Sequence, residues 1–134
     1  ITLEALAEMV RKTEATAQRR NLDDRAALHE LIRSFLQEYE TSATRHVALL
    51  HDTQFLGEEQ RELILNRQRD LVSAVTRFLR RAYPKRVNAS NQTAATMMLF
   101  GMINWTFTWL RPNGPMSYAA FAEEVIATLD HGYS

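Results

Sequence analysis

No cysteine occurs anywhere in the chain, which excludes a disulfide framework, thiolate metal sites and a thiol nucleophile, and fits a reducing cytoplasm. Glycine and proline are scarce, four and three in 134 residues, and no segment sustains the period-two alternation of a strand. An all-α chain is the expectation. No charge of either sign predominates, since 16 basic residues balance 16 acidic ones, so the basic excess of a nucleic-acid surface is missing. The most apolar run, Thr96 to Arg111, is about 16 residues and interrupted, short of the roughly 20 that a membrane span needs. No charged-then-apolar leader precedes it, so secretion is not indicated. The chain opens with Ile1 inside a helical pattern, which predicts a further segment upstream. What is present is ordinary: 46% hydrophobic and 24% charged residues describe a globular domain, and the length suits a single domain, 1–134, that buries about two thirds of its unfolded surface.

Reactive signatures are also lacking. His29, His46, His51 and His131 form no HExxH and no turn-spaced pair with an acidic partner. No GxSxG, phosphate-binding loop or GxGxxG is present. The His51-Asp52 dipeptide is the single hint of a metal-dependent helical hydrolase, and no further ligands are spaced to converge on it. The chain reads as a non-enzyme with no cofactor and no bound metal.

Helical spacing runs through the whole sequence. Leu3, Leu6, Ala7, Val10 and Ala17 form the stripe of a first helix with Thr2 as N-cap, ending at Arg20 before Asn21 and Leu22. Asp23 or Asp24 caps a second, whose stripe is Leu28, Leu31, Ile32, Phe35, Leu36 and Tyr39. A short third helix restarts near Thr44 with Val47, Ala48 and Leu50, followed by a loop from His51 to Gly57. Glu58 and Glu59 open a long fourth, with Ile64, Leu71, Val75, Phe78, Leu79 and Ala82 inward, basic residues in its last turns, and Pro84 as its stop. Ser90 or Asn91 starts a fifth that runs to Arg111. Asn113-Gly114-Pro115 reads as a turn, Ser117 caps a sixth helix with Tyr118, Phe121, Ala122, Val125 and Leu129 on its stripe, and Gly132 ends it.

The fifth helix is apolar on nearly every side, so it faces more than one neighbour, and the rest of the chain is expected to be arranged around it. Met98, Gly101, Trp105, Thr108 and Trp109 share one face; Met97, Phe100, Asn104, Phe107 and Arg111 share the next. A packed core is the plain explanation. Methionine adapts to varied guests, a mid-helix glycine implies a close approach, and Asn104 and Arg111 would serve as polar anchors in an apolar pocket. The candidate ligand-binding set is therefore Phe35, Tyr39, Arg67, Met97, Met98, Gly101, Asn104, Trp105, Trp109 and Arg111. Arg67 enters because, with Gln68, it interrupts the inward stripe of the fourth helix, as a core hydrogen bond or as a ligand contact. The basic group Arg77, Arg80, Arg81, Lys85 and Arg86 either complements a helix end or meets an anionic ligand tail.

The stretch LFGMINWTFTWLRPNGPMS, Leu99 to Ser117, resembles the LFGMxNWTxxWYRPxGPxS pattern of a subgroup of TetR-family transcriptional regulators. Asn104, Trp105, Trp109, Arg111, Pro112, Gly114 and Pro115 match it, and Leu110 stands where tyrosine is common. The resemblance implies a C-terminal ligand-binding and dimerisation domain whose DNA-reading helix-turn-helix lies in a missing N-terminal domain. It implies that the last two helices, Asn91 to Arg111 and Ser117 to Asp130, form a four-helix bundle in a homodimer, through Phe100, Phe107, Tyr118, Phe121, Ala122, Val125 and Leu129. It further implies that the first helix couples ligand state to the spacing of the DNA-reading heads, that the effector is an acyl-CoA or similar acid derivative, and that a cytoplasmic repressor thereby leaves operator DNA. The competing expectation is a helical interaction domain with no ligand, the apolar stripe being only a dimer core.

Overall fold

Residues 3–43 and 57–134 are described by the computed structural model. Helix α1 spans Leu3–Arg19 and buries Leu6, Met9, Val10 and Thr13. Its end is set by Asn21, whose φ of 54° is left-handed. The Leu22 N–H reaches back to the Ala17 carbonyl at 2.9 Å, the six-to-one closure of a Schellman stop, in which asparagine is the usual substitute for glycine. Helix α2, Asp24–Thr41, starts where predicted, with the Asp23 carboxylate accepting from the Ala26 N–H at 2.7 Å. Leu28, Leu31, Ile32, Phe35 and Leu36 are all buried. Helix α3, Glu58–Ala82, carries acids in its first turn and Arg80 and Arg81 in its last, and it ends with Tyr83, the residue before Pro84, as its non-helical cap, where the proline disfavours helical backbone.

Helix α4 covers Gln92–Asn104 and continues as a 3-10 turn over Trp105–Thr108. The predicted helix to Arg111 is therefore too long. The sequence WTFT explains the change: β-branched and aromatic residues are poor helix formers, and the Thr106 and Thr108 hydroxyls each donate to the carbonyl three residues back, at 2.7 and 2.8 Å. A three-residue reach suits the tighter coil. Helix α5, Tyr118–Tyr133, is capped by Ser117, whose Oγ accepts from the Ala120 N–H at 3.0 Å. Gly132 lies inside α5 and does not end it.

The described residues thus form five α-helices, a 3-10 turn and no strand. The all-α class holds, while the short third helix expected around Val47, Ala48 and Leu50 lies outside the described residues. So do Thr2, His46, and the dipeptide His51-Asp52. Among the described residues, no helix is long and apolar enough to cross a membrane, and no group of three His, Cys, Asp or Glu could hold a metal ion.

The organising element is α2, not the apolar stretch. It packs on α1, α3 and α5, whereas α4 packs mainly on α3. Phe35 of α2 meets Phe100 of α4 edge to face at 5.9 Å, and the Thr76 and Thr96 hydroxyls, 2.8 Å apart, tie α3 to α4, one donating to the other while the acceptor donates to the carbonyl four residues back in its own helix. Every buried side-chain polar atom among the described residues has a partner.

Candidate functional site

Helix α4 and the 3-10 turn that follows it divide their apolar residues between two environments. Ala95, Thr96, Leu99, Phe100 and Ile103 point inward. Met97, Met98, Trp105, Phe107 and Trp109 are 45 to 64% exposed, and a Cβ added to Gly101 would meet nothing within 4 Å. An apolar run exposed to this extent on one side of a domain marks an interaction surface. Two expectations are corrected here. Met97, Met98, Gly101 and Trp105 do not line an internal pocket; they form the outer face. Phe100, assigned to a partner, is in the protomer's own core against Phe35. Phe35 is itself fully buried, and this pair fills space that the pocket reading had left for a ligand.

The same correction applies to α5. Tyr118, Ala122, Val125 and Leu129 are buried within the chain, so they have no surface to give a second copy. Tyr118 donates to the Leu110 carbonyl at 3.1 Å; burial, then Glu40, pushes its phenol up, and Arg111 opposes the shift. Phe121 is half-buried, and Phe107 keeps an exposed face of the kind expected. The error came from α5's apolar stripe being the inward stripe, which periodicity identifies without saying which neighbour it meets.

Trp109 and Arg111 are brought together. The chain after the 3-10 turn folds back on α5 to make a cleft of about 630 Å³ lined by Trp109, Leu110, Arg111, Gly114, Pro115, Met116, Phe121 and Glu124. Trp109 stands edge to face on Phe121 with centroids 5.1 Å apart. The Arg111 guanidinium donates to the Phe107 and Leu110 carbonyls, at 3.3 Å each, and among the described residues it has no carboxylate partner. The turn that makes this possible is closed by the Gly114 N–H on the Arg111 carbonyl at 3.0 Å. A Cβ on Gly114 would come within 3.2 Å of that same oxygen, which is why glycine suits the position.

Tyr39 and Asn104 are also brought together, though to each other: the Tyr39 hydroxyl donates to the Asn104 side-chain oxygen. Burial pushes the Tyr39 phenol up to about 12. Arg67 is not inward. It is exposed and pairs with Glu4 of α1, and with Arg81 to Glu14 at 2.8 Å it brackets an open groove of about 510 Å³ between α1 and α3. Of the basic group, Arg77 and Arg81 line that groove, and Arg80 donates to Gln92 at 3.1 Å. A third open cleft, about 370 Å³, separates α1 from α2.

One cluster gave no sequence signal. Asp130 of α5 accepts from the Tyr83 hydroxyl at 2.6 Å and sits 3.0 Å from His29 Nε2 of α2, while Arg25 lies over the Tyr83 ring at 5.1 Å. Burial works to raise the Asp130 carboxyl, but the hydrogen bonds from Tyr83 and His29 outweigh it and hold the group below its usual value. Burial and Asp130 push the Tyr83 phenol up. The partners are far apart in sequence and share no motif.

The fold is similar to that of a TetR-family transcriptional regulator from Bordetella parapertussis 12822, with TM-score 0.83 and 30% identity over 95% of this chain and 65% of that one. The chain thus spans about two thirds of that regulator's length. A transcriptional regulator of the TetR/AcrR family from Thermobifida fusca YX-ER1 shares the fold at TM-score 0.66 and 17% identity, over 98% of this chain and 72% of that one. No curated protein sequence matches. Residues 21–133 match the family model described as tetracyclin repressor-like, C-terminal domain, so this chain belongs to the family of tetracyclin repressor-like C-terminal domains.

Proposed function

We propose that this chain is the effector-sensing and dimerisation part of a cytoplasmic transcriptional regulator, a repressor that leaves operator DNA when its effector binds. DNA is read by a separate N-terminal domain, and this part performs no catalysis. The observation that carries the reading is the coexistence of a Trp109–Arg111 cleft with an exposed apolar strip on α4. The cleft offers an aromatic wall and a guanidinium to an amphipathic acid or its acyl-CoA derivative, and the strip offers a second copy a surface to bury. A ligand that prefers one arrangement of the dimer shifts the spacing of the DNA-reading heads by mass action; a preference of about 100-fold, on the order of 2.7 kcal/mol, is sufficient.

Two measurements test it. Sedimentation equilibrium at micromolar concentration is expected to show a dimer, and a panel of acyl-CoA thioesters and free acids is expected to raise the melting temperature, by about 2.7 kcal/mol of added stability at 100 times the dissociation constant. A monomer at every concentration removes the partner reading, and an unmoved melting curve across the panel removes the effector reading. The openness of all three clefts favours one alternative, an interaction domain with no small ligand, and the unmoved panel combined with a dimer would select it.

A further inference from the structure

Building on the effector reading above, we propose that the Trp109–Arg111 cleft is an intersubunit site for a small apolar monocarboxylate, completed by a second copy of the chain. Ligand and dimer then stabilise each other.

The size is right for a small molecule: about 630 Å³ falls in the range of roughly 300 to 1,000 Å³ typical of such sites. The chemistry selects the class. Trp109 braced on Phe121 gives a rigid aromatic wall, continued by Leu110 and Met116, and this wall suits an alkyl chain or a ring. The Arg111 guanidinium carries five donors in a fork matched to a carboxylate, and its two bonds here are long ones to main-chain carbonyls. Glu124 lines the same cleft, so the empty cleft is close to neutral. One negative charge at Arg111 is well placed, whereas the several charges of a nucleotide would meet Glu124. The ligand class that follows is a free monoanionic acid, not a coenzyme A thioester.

The cleft lacks a wall. Trp109 is 48% exposed, and the turn just before it carries Trp105 and Phe107, 64% and 45% exposed, which stack edge to face at 5.6 Å and are tied to the cleft by the Arg111 guanidinium on the Phe107 carbonyl at 3.3 Å. A ligand in the isolated chain would leave much of its apolar surface wet. A second copy covering this strip shields both the strip and the ligand, and twofold symmetry makes the arrangement reciprocal. Linkage requires that whatever the dimer does for ligand affinity, the ligand does for dimer affinity.

The test uses the chain as it is, with sodium octanoate as the probe and octanoyl-CoA as the thioester arm. Octanoate is expected to tighten the dimer at least tenfold in sedimentation. It is also expected to change the fluorescence of Trp109 in Trp105→Phe, where it is the sole tryptophan. Arg111→Gln is expected to lose both effects, with folding checked by circular dichroism. Should that variant fail to fold, Glu124→Gln, an exposed substitution, serves in its place and is expected to strengthen the octanoate response. The proposal is overturned if octanoate stabilises the chain without moving the dimer constant, if Arg111→Gln responds as fully as the parent, or if Glu124→Gln leaves the response unchanged; the effector then lies elsewhere and the effector reading stands. Tightening by octanoyl-CoA and not by octanoate overturns the ligand class. No response to any acid or thioester overturns this proposal and the effector reading together.

Discussion

The Asp130 carboxylate links the end of α3, α2 and α5 through Tyr83 and His29, and its value is held down by those bonds against the opposing effect of burial. A carboxyl held below its unfolded value of 3.8 contributes stability that is complete above that pH and is lost as pH falls through the folded value. The urea midpoint is therefore expected to fall as pH is lowered from about 5 toward 2, and Asp130→Asn is expected to flatten that fall. Equal slopes for the two proteins would show that other carboxylates control the acid response. Tyr39 acts with the opposite sign. Its phenol is raised from 10.0 to about 12 by burial, so its contribution is complete below pH 10 and disappears as pH rises toward 12. Tyr39→Phe is expected to remove that alkaline loss while costing about 1 kcal/mol at neutral pH from the lost bond to Asn104. A variant that unfolds in alkali along the parent's curve would contradict the assignment.

At the scale of the element, α4 differs from the other described helices in being apolar on both its inner and outer sides. Its outer side has Gly101 in mid-helix with open space beyond it. The close approach that a mid-helix glycine suggests is not made among the described residues. Gly101→Ala is therefore expected to stabilise the protomer by up to about 1 kcal/mol through helix propensity. If a second copy's backbone approaches at this point, the same substitution weakens self-association. Melting of dilute protein and sedimentation at higher concentration read the two effects separately. A gain in stability with association intact would place the partner's contact elsewhere on the strip.

For the whole molecule, the α2-centred core and the α4 strip are separable in principle. Phe35 and its neighbours on α2 hold the protomer together, and Trp105, 64% exposed, adds little to that core. Trp105→Asp is expected to leave helicity and melting near those of the parent while shifting the sedimenting species toward monomer. A charged side chain buried without a partner is costly at an interface. Loss of folding in this variant would show instead that the strip supports the protomer itself.

Much of this architecture is legible from the residues in order. The α2 stripe, the caps at Asp23 and Ser117, the stop before Pro84 and the break at Asn21 follow from side chains and backbone within a few positions of one another, so local pattern is sufficient to read them. The motif from Leu99 to Ser117 likewise points to the family through side chains close together in the chain. Among the described residues, the sequence by itself thus determined where the α-helices lie and how most of them begin and end, apart from the 3-10 turn that cuts α4 short. Only the tertiary structure decided which side of α4 faces inward, because a helix that is apolar all round carries no periodic signal to orient it. It alone decided that Tyr118, Ala122, Val125 and Leu129 serve the protomer's core, that Tyr39 meets Asn104 across 65 positions, and that Trp109 and Arg111 share a cleft with Phe121. Each of these depends on how helices are placed against one another, and that placement is set by packing among residues far apart in the chain.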